Sequence, residues 1–173
     1  MEARLDGRNA LITGGSAGIG KAIAKSFLTS GANVSIVARR SEVLTAAKAE
    51  IEAEGAVTGT SGKVFALSAD IRNSEECEKV IAKTQAAFGH IDVLVNNAGT
   101  SQRGDFLELS DEIWQDDLDL KLFSAVRLCR LVIPGMRSRK WGRIINVLNL
   151  GAKVQKQGVP RASSKTAKVL RFA

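Results

Sequence analysis

Three short runs, 34–38, 91–95 and 144–148, are apolar on both faces, and this constrains the fold more than any other feature of the chain. A half-exposed antiparallel strand alternates apolar and polar residues, whereas a strand covered by helices on both sides reads as a continuous apolar run. Longer amphipathic stretches separate the runs. The pattern predicts strands at 9–13, 33–38, 64–68, 91–96 and 143–148. Helices are predicted at 18–30, at 41–54, from 74 through 87, and at 110–137, and the last dozen residues read as the start of another. In the first helix Ile19, Ile23, Phe27 and Leu28 share a face, and Gly31 closes it. In the second, Ser41 caps the start, and Val43, Leu44, Ala47 and Ile51 form the apolar side. The glycine-, threonine- and serine-rich stretch 55–62 reads as a loop. Right-handed crossovers turn this order into an α/β, doubly wound parallel sheet of five strands.

A chain of 173 residues fits one domain, and 45% hydrophobic content is enough to bury a core. No apolar run approaches the ~20 residues that span a bilayer, and the first residues carry no apolar signal segment. Cys77 and Cys129 lie far apart with no ligand spacing, which reads as reduced thiols in a cytoplasm, with no metal site. The sole histidine, His90, stands beside Asp92 and reads as structural. Charge is uneven: residues 120–173 hold 13 of the 25 Lys and Arg and no acidic residue. A basic surface for nucleic acid would explain this. No nucleic-acid motif accompanies the charge, so it reads instead as the basic part of a larger domain.

The stretch 13–20 joins the first strand to the first helix. Its glycines, Gly14, Gly18 and Gly20, form G-x-x-x-G-x-G rather than G-x-G-x-x-G. Glycine permits positive φ and close backbone approach, and the helix start offers free N–H groups and partial positive charge to a pyrophosphate. Dinucleotide-binding folds of this kind place an acid about 20 positions further on, to hold the ribose 2′-hydroxyl of NAD. Here the second strand ends Val37-Ala38-Arg39-Arg40. A guanidinium suits a 2′-phosphate, which favours NADP over NAD.

With these motifs in order, the chain resembles the short-chain dehydrogenase/reductase family. The loop T-G-x-x-x-G-I-G matches Thr13, Gly14, Gly18, Ile19 and Gly20, and the resemblance implies that these and Ser16 within the loop hold the cofactor. N-N-A-G matches Asn96, Asn97, Ala98 and Gly99, while Asp70 and Ile71 fall where that family contacts adenine. Trp114, Pro134 and the run 142–147 are further landmarks. The resemblance covers essentially the whole chain. It implies a Rossmann-type NAD(P)-binding domain over 1–173 and hydride transfer between NADP(H) and an alcohol or carbonyl substrate.

In that family a tyrosine, its pKa lowered by a lysine, moves the proton, a serine positions the substrate oxygen and a helix asparagine holds a water. The resemblance lays these roles on Arg161, Lys165, Asn149 and Lys121, and only Lys165 matches. The chain contains no tyrosine at all. Arginine stays protonated near neutral pH and cannot act as the acid. Asn149 retains hydrogen bonding to a carbonyl but relays no proton. The family also continues past the Lys165 helix with two more strands and a substrate-covering segment. The expectation is therefore a C-terminally incomplete domain, with the fifth strand as an exposed apolar edge, and a homo-oligomer surface that includes the shortened helix. Two functional readings follow: an NADP-preferring oxidoreductase of doubtful activity, or a catalytically silent NADP(H)-binding protein or gene fragment.

Overall fold

The computed structural model describes residues 4–100, 107–148 and 168–172. Strands β1 (Asn9–Thr13), β2 (Asn33–Ala38), β3 (Val64–Ser68), β4 (Val93–Asn96) and β5 (Gly142–Asn146) are all parallel, and β6 (Lys168–Phe172) runs antiparallel at the edge. The order across the sheet is β3-β2-β1-β4-β5-β6. The chain thus steps outward from β1 on one side and from β4 on the other. The connections diverge between these two strands, which opens a crevice at their C-terminal ends.

Both faces of the sheet are covered, as the apolar runs require. Along β1 all five residues are buried. Ala10 and Ile12 pack with Ala24, Leu28, Leu44 and Ile51 from α1 (Gly18–Thr29) and α2 (Ser41–Thr58). Leu11 points the other way, into a core with Val80 and Ile81 from α3 (Ser74–Phe88). Leu128, Val132 and Met136 join that core from α5 (Ser124–Ser138).

Several boundaries differ from the sequence expectation, each for a physical reason. Helix α2 runs through Gly55, where the loop was expected to begin. A Cβ there would lie 2.6 Å from Leu28 Cδ2, so this glycine serves the close approach of α1 and α2. The helix stops instead at Gly59, whose φ of 68° is left-handed. The start of α2 carries no side-chain cap from Ser41, and Arg40 is the capping position. At α3 the cap is Asn73, whose side chain accepts from the amides of Glu75 and Glu76. The helix expected at 110–137 is continuous over 111–138, with a π-helical turn at Asp119–Phe123 between its α-helical parts α4 (Asp111–Leu118) and α5.

The largest correction is at the C-terminal end. Lys168–Phe172 forms a strand, not the start of a helix, and adds an antiparallel sixth strand to the five parallel strands expected. It pairs along the whole of β5, from Gly142↔Phe172 to Asn146↔Lys168. The β5 edge expected to be bare is covered, because an open row of backbone groups recruits an available segment of β-prone residues.

Leu128 is fully buried where α5 meets the sheet. Leu128→Ala is expected to lower stability by about 2–5 kcal/mol in a denaturant titration. A loss below about 1 kcal/mol would show that α5 does not seal this face.

Candidate nucleotide site and its neighbouring cavity

The crevice is built by two loops held together from within. Thr13 ends β1 with its side chain buried. Its hydroxyl accepts the amide N–H groups of Asn97 and Ala98, both at 3.0 Å, and donates to the Val95 carbonyl at 3.3 Å. The Asn97 side chain returns the contact, donating to the carbonyls of Thr13 at 3.0 Å and Gly14 at 3.3 Å. The amides of Gly14 and Gly15 donate to Val37 on β2. The glycine loop is thereby fixed to both neighbouring strands.

Three glycines are required by this packing, among them Gly15, where a Cβ would lie 2.7 Å from Ile36 Cβ. Gly14 has φ 68°, and a Cβ on it would lie 2.9 Å from the Ala98 Cα. A Cβ on Gly20 would lie 2.2 Å from the Gly14 carbonyl oxygen and 2.5 Å from Asn97 Nδ2. Gly18 differs: its φ is 53°, and a Cβ there would meet nothing within 4 Å. Its need is conformational, with open space beside it. The first turn of α1 has no side-chain cap and no acidic residue. Its N–H groups and partial positive charge remain available to an anion.

The resulting cleft has a volume of about 930 Å³. Ten of the residues assigned to the cofactor line it: Gly14, Ser16, Ile19, Arg39, Arg40, Asp70, Ile71, Asn97, Ala98 and Gly99. Thr13, Gly18 and Gly20 shape it without lining it. Val37, Ala38, Ala69 and Leu120 also line it and were missed. The register Ala38↔Ser68 identifies the first three, since it stacks the ends of β2 and β3 at the same level. Arg39 and Arg40 are exposed.

Asp70 is bound tightly to its own loop. Arg72 holds it through the backbone amide at 3.1 Å, through Nε and through Nη2 at 2.6 Å. The Arg72 side chain thereby holds the Asp70 carboxyl below its ordinary value; partial burial opposes this, and the field of Arg39 adds to the lowering. Arg72 Nη1 also reaches Asp116 on α4 at 2.8 Å.

Lys121 lies in the π-helical turn, and its side chain is only 12% exposed. It forms an ion pair with Asp117, a 4% exposed carboxylate that sequence reading missed. The i,i+4 order of acid then base was the available signal. Lys121 borders a second cavity of about 430 Å³ with Asn96, Ser124, Cys129, Arg130 and Asn146. That cavity shares Ala98, Val147 and Leu148 with the cleft. The remaining assigned positions, Asn149, Arg161 and Lys165, lie outside the described residues.

Other sequence features are structural. His90 lies 3.2 Å from Asp92 just before β4, at the opposite end of the sheet from the cleft. Cys77 is buried and donates to the Ile71 carbonyl, and burial pushes its thiol up to about 11. Part of the basic excess is used internally. Lys121 and Arg127 pair with Asp117 and Asp119, while Arg139 and Arg143 donate to backbone carbonyls. Among the described residues, no helix is long and apolar enough to cross a membrane.

Comparison with known proteins agrees with this geometry. The short chain dehydrogenase family matches residues 8–170. The chain belongs to that family of oxidoreductases. An uncharacterized oxidoreductase, YvrD, from Bacillus subtilis is 36% identical over 96% of the chain and 61% of its own length. D-beta-hydroxybutyrate dehydrogenase from Cupriavidus necator is 39% identical over 83% of the chain and 53% of its own length. L-sorbose reductase from Gluconobacter frateurii, solved with NADPH and L-sorbose, superposes with a TM-score of 0.84. It is 35% identical, with 92% of this chain and 59% of that one covered. A metagenomic short-chain oxidoreductase in complex with NADP gives 0.81 at 32% identity, covering 94% of this chain and 69% of that one. The chain thus spans about half to two thirds of these relatives.

Gly20→Ala is expected to disrupt the loop, because its Cβ would collide with the backbone at Gly14. Gly18→Ala is expected to leave the fold intact, at a cost of about 1–2 kcal/mol for a left-handed non-glycine residue. Thermal unfolding of the two variants checks this. Equal losses would contradict the assigned roles.

Proposed function

We propose that this chain binds NADP(H) in the cleft between β1 and β4, in preference to NAD(H), and that it carries little dehydrogenase activity of its own. The observation that carries the binding is the pairing of an uncapped, glycine-built α1 start with Arg39 and Arg40 at the end of β2. The residues fit the group chemically. The helix start would hold a pyrophosphate and the guanidiniums a 2′-phosphate, while Gly14 and Gly20 let the two loops pack closely and Gly18 has open space beside it. The whole of 1–173 is read as one nucleotide-binding domain of the family. Solved relatives bound to NADPH and NADP support the same cofactor.

The bound cofactor would supply the hydride, and the chain must supply the proton and hold the carbonyl or alcohol. Here the protein is poorly equipped. It has no tyrosine, and the resemblance lays that role on Arg161, which holds its proton too firmly. Asn149 at the serine's place offers a hydrogen bond without proton transfer, and Lys165 has no phenol to activate. A positioned acid or base contributes about 10²–10⁴-fold. Lys121 lines the second cavity together with Arg130, and Asp117 holds it. A silent NADP(H)-binding role is favoured by the same observation, a constructed cleft without the family's acid.

NADPH is expected to bind at least about tenfold more tightly than NADH, since one charge-assisted contact contributes roughly 1.5–3 kcal/mol. Arg39→Asp is expected to reverse the order. Fluorescence titration with each cofactor reads this, and equal affinities in the unmodified protein would overturn the assignment.

Turnover of a carbonyl panel with NADPH is expected to be slow or absent. Robust turnover that disappears in Lys121→Ala would contradict the silent reading and make Lys121 the acid.

A further inference from the structure

We propose that Arg72 is a specificity-determining residue of the nucleotide cleft: it occupies the Asp70 carboxylate and so keeps Arg39 free for a 2′-phosphate. The inference rests on the NADP(H) reading above and concerns how the cleft maintains that preference.

Asp70 and Arg39 are neighbours by construction. The β2–β3 register pairs Ala38 with Ser68, so Arg39 and Ala69 each follow a paired residue directly. The Ala69 amide donates to the Ala38 carbonyl at 3.0 Å, and the Ser68 hydroxyl to the Arg39 carbonyl at 2.9 Å. Asp70 is the next residue, and it lines the cleft together with Arg39. A carboxylate in this position is a natural partner for the arginine. An acid paired there would take a donor away from a phosphate and repel the phosphate as well.

The observed pairing is different. Both Asp70 oxygens are engaged by Arg72, and among the described residues no carboxylate pairs with Arg39. Arg72 is itself held on both sides. Asp116 on α4 takes its Nη1 at 2.8 Å. Arg127 on α5 donates to its backbone carbonyl at 2.6 Å and to Asp119 at 3.1 Å. The guanidinium that binds Asp70 is therefore anchored to Asp116 on α4, and its backbone to Arg127 on α5. It is a competitor fixed in place, and only 31% of its side chain is exposed.

The account makes a double-variant prediction that a merely structural role does not. Equilibrium titrations of the full chain with NADPH and with NADH are compared for wild type, Arg72→Gln, Asp70→Asn and the double variant. Arg72→Gln is expected to lower the NADPH-over-NADH preference by about tenfold, the size of one charge-assisted contact, chiefly through weaker NADPH binding. Asp70→Asn is expected to leave the preference at or above wild type. The double variant is expected to match Asp70→Asn, because no acid is then left to divert Arg39. Equal weakening of both cofactors in Arg72→Gln overturns the inference, as does a double variant that fails to recover the preference. If Arg72→Gln does not fold, the double variant against Asp70→Asn decides: a preference about tenfold lower in the double overturns the inference. Wild type without any NADPH preference overturns the cofactor reading and this inference together. Wild-type preference that survives in Arg72→Gln overturns this inference alone.

Discussion

The buried hydroxyl of Thr13 is the contact on which the cleft depends. It ends the central strand, accepts two amides from the loop after β4 and donates to Val95. Asn97 closes the circuit by donating to the carbonyls of Thr13 and Gly14. Buried backbone groups at a strand end must find partners, and here each loop supplies those of the other. The consequence is geometric: the glycine loop cannot shift without breaking contacts to β4. Gly14 and Gly20 then have no room for side chains, and the α1 start is fixed beside the crevice.

Much of this was legible in the sequence, because the nucleotide half is built from local signals. The strand at Asn9–Thr13, the glycine stretch and Arg39-Arg40 follow from hydrophobic pattern and turn chemistry, and they line or shape the cleft. Other features depend on tertiary contacts that no local pattern contains. Gly55 looks like a helix breaker but is a packing residue set by Leu28. The π-helical turn interrupts an amphipathic run that reads as one helix. The pairing of Lys168–Phe172 with β5 depends on an edge formed by a distant part of the chain. Periodicity has no access to any of these.

Charge tells a similar story. Along the sequence, the bases after residue 119 look unopposed. In space, Lys121 and Arg127 meet acids from just before that point, and Arg72 joins Asp70 to Asp116. Among the described residues, the cations that line the cleft are Arg39 and Arg40, at the end of β2 where dinucleotide-binding folds place a ribose-binding acid. In the proposed reading selectivity and catalysis are separable: residues assigned to the nucleotide line one cleft, while the resemblance lays three of the four proton-transfer roles on substituted positions.

The central claim is recognition of a 2′-phosphate by the cleft, and it is best tested without the nicotinamide. Calorimetric titration with adenosine 2′,5′-bisphosphate and with adenosine 5′-monophosphate isolates that one group. The account predicts tighter binding of the bisphosphate by about tenfold or more, the value of a single charge-assisted contact. Equal binding of the two would contradict it.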